Sequence, residues 1–238
     1  AGVEACDATG AAPGTWSLAL SDGPTDLLVT GPLTTVARFP ELAASFDGFT
    51  VMGGAVDHPG NTTPTAEWNF WVDPDAVATV FGGGDGAAGE SGDGTQSPPT
   101  SAPGLDARPD AQPLTLCPLD VTETIIVRPE DVERWAIPGE LGETVAKALR
   151  FYFGFHRGQG IGYLAQVHDL FAAMVACGTV DVESEEMPLA AVAGDRGAIA
   201  RVDVASGDGA GGRSVTVVKQ TDPATVLAEF ERALGHLR

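Results

Sequence analysis

His168 and Asp169 stand side by side, and the segment from Thr50 to Asp73 sets Asn61, Glu67 and Asn69 among glycines, prolines and threonines. Carboxylates, amide oxygens and backbone carbonyls are what a hard cation such as calcium takes, about six to eight at a time. Asp169 and the backbone carbonyl of Thr30 are therefore candidate metal ligands, and His168 beside them is a candidate proton donor. A second reading of the same residues stays open. An adjacent His-Asp pair at a helix start also serves as a capping arrangement, and Glu67 with Asn69 also suits the cap of a following turn. Met52 is either a site residue or plain core, while His58 and His236 read as surface residues.

Such groups need strands and helices to hold them. Asp26 to Thr30 has a buried-strand pattern, Gly31-Pro32 opens a helix through Leu33, Val36, Ala37 and Leu42, and Phe49 to Met52 is a second strand. Strand, helix and strand make a βαβ unit, so an α/β fold is predicted, an open and mostly parallel sheet with helices on both faces. Ligands of such sheets lie at the carboxyl ends of the strands, where Thr30 and Met52 stand. Asp73-Pro74-Asp75 caps another helix that Gly82 stops. Leu114 to Leu119 reads as a strand, Arg128 to the residue before Pro138 as a short helix, and Leu141 to Phe155 as a longer one broken by Gly158 and Gly160. The next helix, through Leu164, Val167, Phe171, Met174 and Val175, carries His168 and Asp169 and is capped by Gly178. Residues 188–219 alternate as antiparallel edge strands do, and Asp222-Pro223 opens the last helix. Residues 1–25 read as a loop or stub.

The 238 residues, 43% of them hydrophobic, suffice for a substantial core and are expected to form one domain over 1–238. Residues 82–113, almost entirely Gly, Ala, Asp, Ser, Pro and Thr, are expected to be a flexible insertion. No apolar run nears the roughly 20 residues of a membrane span, and the chain does not open like a signal peptide. It therefore reads as soluble and cytoplasmic, without a membrane partner. A net charge of -20, from 33 acidic against 13 basic residues, argues against a nucleic-acid partner. The three cysteines are too far apart in sequence for a zinc motif or a disulfide framework, and Asn61-Thr62-Thr63, though a glycosylation sequon, lacks a secretion signal to support it.

Gly31-Pro32-Leu33-Thr34, Val51-Met52-Gly53-Gly54-Ala55, Gly60-Asn61-Thr62-Thr63-Pro64, Ala66-Glu67-Trp68-Asn69 and Asp73-Pro74-Asp75-Ala76 follow one another in an order and spacing that resemble the inosine/uridine-preferring nucleoside hydrolases. Leu119-Asp120-Val121-Thr122, His168-Asp169 and Arg196-Gly197 carry the resemblance through the second half. It implies a calcium-dependent N-ribohydrolase that cleaves a ribonucleoside into ribose and base, in salvage or catabolism, commonly as a homo-oligomer. Within it, Asp169 and the Thr30 carbonyl would bind Ca2+, Asn61, Glu67 and Asn69 would grip the ribose beside Met52, His168 would protonate the leaving base, and Tyr152 and His156 would cover it. The family's opening strands, with an Asp-x-Asp-x-x-x-Asp-Asp cluster that supplies most calcium carboxylates and the general base, have no counterpart in these residues. Weak calcium binding, failed water activation in this chain alone and an exposed sheet edge are the expected consequences. Thr35 and Leu170 are smaller departures. A non-catalytic module that binds ribose or nucleoside is the alternative, and an interaction protein using its acidic loop a third.

Overall fold

Apolar runs of four or five residues at Asp26–Val29, Gly48–Met52 and Leu114–Cys117 make the parallel strands that position the site. The computed structural model describes residues 2–5, 14–17, 25–40, 45–83, 113–202 and 212–235. In chain order β1 (Gly2–Ala5), β2 (Gly14–Ser17), β3 (Asp26–Val29), α1 (Thr34–Arg38), β4 (Gly48–Met52), α2 (Trp68–Val72) and α3 (Pro74–Phe81) form the first half. Then come β5 (Leu114–Cys117), α4 (Leu119–Thr122), β6 (Ile126–Val127), α5 (Pro129–Trp135), α6 (Gly139–Gly158), β7 (Ala165–Gln166), α7 (His168–Ala176), β8 (Glu183–Ala191), β9 (Ile199–Arg201), β10 (Arg213–Gln220) and α8 (Pro223–Gly235).

The main sheet runs β3-β4-β5-β10-β8-β9. β3, β4, β5 and β10 are parallel, whereas β8 joins β10 and β9 joins β8 antiparallel. Alternation along each strand divides the core between the sheet's two faces. Phe49, Val51, Leu114, Leu116, Val215 and Val217 pack on one side with Phe70, Val77 and Phe81. Met52, Cys117 and Val218 pack on the other with Phe171 and Val226. Helices therefore cover both faces, and β4 is buried along its whole length, as a central parallel strand must be. A third cluster, around Trp135, Phe153 and Ala165, seats α5 and α6 beside the small β6–β7 pair.

Several expectations need correction. Part of the N-terminal stretch read as a loop is instead an antiparallel pair, β1 with β2, built from backbone pairing that an Ala- and Gly-rich composition does not signal. The helix carrying His168 starts at that residue, not at Leu164. Gly160 and Gly162 take left-handed φ values of 79° and 130°, which turn the chain, and Ala165–Gln166 then pairs with β6. α6 is longer than expected, because Pro138 starts it and Gly158 remains within it. The strand at 114 stops at Cys117, where Pro118 begins a helical turn. α1 covers Thr34–Arg38, and Leu42 lies outside the described residues, as do His236, Cys6 and residues 84–112 of the expected insertion. β10 is not an edge strand but sits between β5 and β8; alternation reveals a strand's faces, not its neighbours. Among the described residues β3 pairs only with β4, and Leu28 is 36% exposed on that open edge, as expected. No helix there is long and apolar enough to cross a membrane.

The thiols differ in reactivity. Cys117 is buried, which pushes its pKa up to about 12, whereas Cys177 at the end of α7 is exposed. An alkylating reagent at mildly alkaline pH is expected to modify Cys177 faster than Cys117 by roughly three orders of magnitude or more, because only thiolate reacts. Peptide mapping after timed labelling checks this, and comparable rates would contradict the packing around β5.

Candidate functional site

The carboxyl ends of β3 and β4 meet α6 and α7 around a cavity of about 1150 Å3. Every site residue expected from the sequence lines it: Thr30 and Met52 at the strand ends, Asn61, Glu67 and Asn69 after β4, Tyr152 and His156 on α6, and His168 and Asp169 on α7. The volume exceeds that of many small-molecule sites, so it accommodates a ligand of nucleoside size together with solvent.

Glu67 is the N-cap of α2 and only 2% exposed. Its Oε1 accepts from the N–H of Asn69 at 2.8 Å, and its Oε2 from those of Gly54 at 3.0 Å and Phe70 at 3.2 Å. The capping reading is thus correct for Glu67, which is at the same time a wall of the cavity. Burial raises its pKa, the three N–H donors oppose that, and the nearby Asp169 charge adds to the rise. Asn69 donates from Nδ2 to the Met52 carbonyl at 3.3 Å and toward Met52 Sδ at 3.5 Å. That fixes its amide and turns Oδ1, which has no protein partner among the described residues, to the cavity. Asn61 Oδ1 accepts from the Trp68 N–H at 3.0 Å, closing the loop between β4 and α2. Gly60 permits that closure, since a Cβ there would lie 2.2 Å from the Ala66 carbonyl oxygen.

His168 and Asp169 open α7, yet neither side chain caps it: the N-cap is Val167, with no side-chain bond. His168 Nδ1 meets Thr122 Oγ1 at 2.8 Å. Burial, followed by the proximity of His156, lowers the His168 pKa to about 4, so its ring is neutral at pH 7. Asp169 has no hydrogen-bond or ion-pair partner among the described residues, and burial raises its pKa. Tyr152 lies near enough for the Asp169 charge to add to the burial that raises its own pKa. Its ring centroid is 4.3 Å from that of His156, a 3% exposed residue whose Nδ1 is buried without a hydrogen-bond partner.

Sequence reasoning missed other lining groups. Trp68, Phe155 and Ile161 are exposed apolar side chains at the cavity, and Glu123 and Gln166 are polar ones. Phe155 follows Tyr152 by one helical turn, a spacing that would have found it. The supporting contacts were also missed. Asp120 accepts from the N–H groups of Val56 at 3.0 Å and Asp57 at 2.7 Å. Asp57 in turn pairs with Lys219 at 2.6 Å and Arg201 at 2.9 Å, and the Lys219 ammonium foremost holds its carboxyl below the usual range. Asp73 caps α3 and accepts from Thr34 Oγ1, joining two of the sequence motifs. Arg196 covers the end of α2, donating to the carbonyls of Trp71 at 2.8 Å and Val72 at 3.1 Å.

A partnerless carboxylate beside a strand end has the chemistry of a hard-cation site. Among the described residues, however, no group of three or more His, Cys, Asp or Glu side chains gathers to hold a metal. Asp169 and the Thr30 carbonyl are two donors where calcium takes about six to eight. The described residues therefore fit part of a calcium shell and not a complete one.

The family profile of the inosine-uridine preferring nucleoside hydrolases matches residues 5–231. A pyrimidine-specific ribonucleoside hydrolase of Shewanella sp. (strain MR-7) is 36% identical over 155 residues, which cover 63% of this chain and 40% of that protein. The chain thus spans well under two thirds of the curated relatives it matches. A purine-preferring ribonucleoside hydrolase from Gardnerella vaginalis superposes with a TM-score of 0.65 at 21% identity, over 89% of this chain and 60% of the other. A plant nucleoside hydrolase superposes with a TM-score of 0.66 at 18% identity, over 88% and 61%. At such identities these two structures show a shared fold.

Proposed function

Because the chain belongs to the inosine-uridine preferring nucleoside hydrolase family, we propose that its cavity binds a ribonucleoside and that the protein cleaves the N-glycosidic bond to give ribose and free base. One observation carries this reading: Asn69 Oδ1, the Glu67 and Asp169 carboxylates and the His168 ring line one cavity, beside the Tyr152 and Phe155 rings. Vicinal hydroxyls of ribose suit the amide oxygen of Asn69, the remaining lone pairs of Glu67 and the amide of Asn61. Met52 packs under the sugar. The glycosidic bond breaks with positive charge growing on the ribosyl ring, which the two carboxylates stabilise. His168 faces the departing base as hydrogen donor, and Tyr152 and His156 cover it. Trp68, Phe155 and Ile161 limit water at the mouth.

Calcium is the proposed cation, with Asp169 and the Thr30 carbonyl as its ligands here. The incomplete donor set supports a second reading, a module that binds nucleosides without turning them over. The test is release of reducing sugar from uridine and inosine with millimolar calcium present. Release that His168→Ala removes supports hydrolysis, nucleoside binding without release supports the module, and absence of binding overturns both.

A further inference from the structure

We infer that Thr122 is a positioning residue, which donates its hydroxyl hydrogen to His168 Nδ1, holds the ring proton on Nε2 and so presents a hydrogen-bond donor to the cavity. Thr122 is 0% exposed, and among the described residues its hydroxyl has one partner, His168 Nδ1 at 2.8 Å. Two arrangements satisfy that distance. If Nδ1–H donates to Oγ1, the hydroxyl hydrogen is left buried without an acceptor, which costs about 1–3 kcal/mol. If the hydroxyl donates to an unprotonated Nδ1, both groups are satisfied. Threonines elsewhere in the fold avoid the problem by donating to a backbone carbonyl, as Thr79 does to Asp75 and Thr144 to Glu140. Thr122 makes no such bond among the described residues, so its hydrogen belongs to the histidine.

Position reinforces the assignment. Thr122 ends α4, and Asp120 in the same turn clamps the N–H groups of Val56 and Asp57. The Leu119 N–H also donates to the Gly54 carbonyl at 3.0 Å. One short turn thus orients His168 on one side and anchors the loop leading to Asn61 on the other. An imidazole whose Nδ1 accepts a hydrogen bond carries its one proton on the other nitrogen and donates only from there. With Nδ1 occupied by the hydroxyl, that nitrogen is Nε2. The group it meets, a ring nitrogen or exocyclic oxygen of a leaving base, rests on the functional reading above; the tautomer does not.

The test is a two-bond proton–nitrogen correlation spectrum of the full chain carrying 15N-histidine, recorded near pH 7. His168→Asn identifies the resonances of His168 among the 4 histidines. Wild type and Thr122→Ser are expected to show a pyridine-type Nδ1 and a pyrrole-type Nε2. Thr122→Val, which keeps the shape and loses the hydroxyl, is expected to show a mixture of tautomers. A pyrrole-type Nδ1 in wild type would overturn the inference, whether or not the valine variant folds, as would a Thr122→Val spectrum unchanged from wild type. The predicted tautomer in a chain that binds no nucleoside would sink the functional reading and leave this one standing.

Discussion

Replacing Glu67 by alanine is expected to lower the free energy of unfolding by about 3 kcal/mol, a large share of the 5–15 kcal/mol typical of a domain. The carboxylate accepts from three backbone N–H groups, of Gly54, Asn69 and Phe70, in a place where it is 2% exposed. Losing an N-cap costs about 1 kcal/mol, and each buried donor left unpaired adds roughly 1–3 kcal/mol, less where cavity water reaches it. Against this stands the cost of burying the charge, visible as its raised pKa, so the net figure lies below the simple sum. Glu67→Gln keeps one acceptor oxygen and should fall between. Urea denaturation of the three proteins measures the effect. A loss under about 1 kcal/mol for alanine would mean that the N–H groups find other partners, and that Glu67 is held for its ligand alone.

The second large effect concerns chemistry. If the protein hydrolyses nucleosides as proposed, His168→Ala is expected to reduce ribose release by about 10²- to 10³-fold, the range for losing one positioned hydrogen-bond donor to developing charge. The fold should tolerate the change at a cost of about 1–3 kcal/mol, because His168 bonds only Thr122 among the described residues and that buried hydroxyl then loses its acceptor. A substrate whose base leaves readily without a proton, such as a nitrophenyl riboside, should lose far less. Equal losses on both substrates would assign His168 to binding the sugar rather than assisting the base.

Much of this site was legible because the signals were local. Gly-Pro before Leu33, Asp-Pro at Asp73 and the polar run after Met52 each announce a turn or cap, and each sits where the sequence placed it. Order and spacing of the motifs carried the site residues, all of which line one cavity. What escaped depends on pairing across the chain. The neighbours of β10, the turn into β7 and the pairing of β1 with β2 are decided by partners nine or more residues away or by glycine backbone angles, which apolar periodicity does not encode. The contacts of Asp120, Thr122 and Lys219 escaped for the same reason: they span 46 to 162 residues, to Val56, His168 and Asp57. Glu67 shows that two readings of one residue need not compete, since it is both cap and cavity wall.

The most direct test of the central claim, that this cavity is a nucleoside site, is equilibrium titration of uridine and inosine into the chain with calcium present, followed by tryptophan fluorescence, with Trp68 at the cavity rim. The account predicts saturable binding that free ribose competes for and that Asn69→Ala weakens by about tenfold or more, as loss of a hydrogen bond to a buried hydroxyl should. No saturable binding, or binding that Asn69→Ala leaves unchanged in a folded protein, would contradict it.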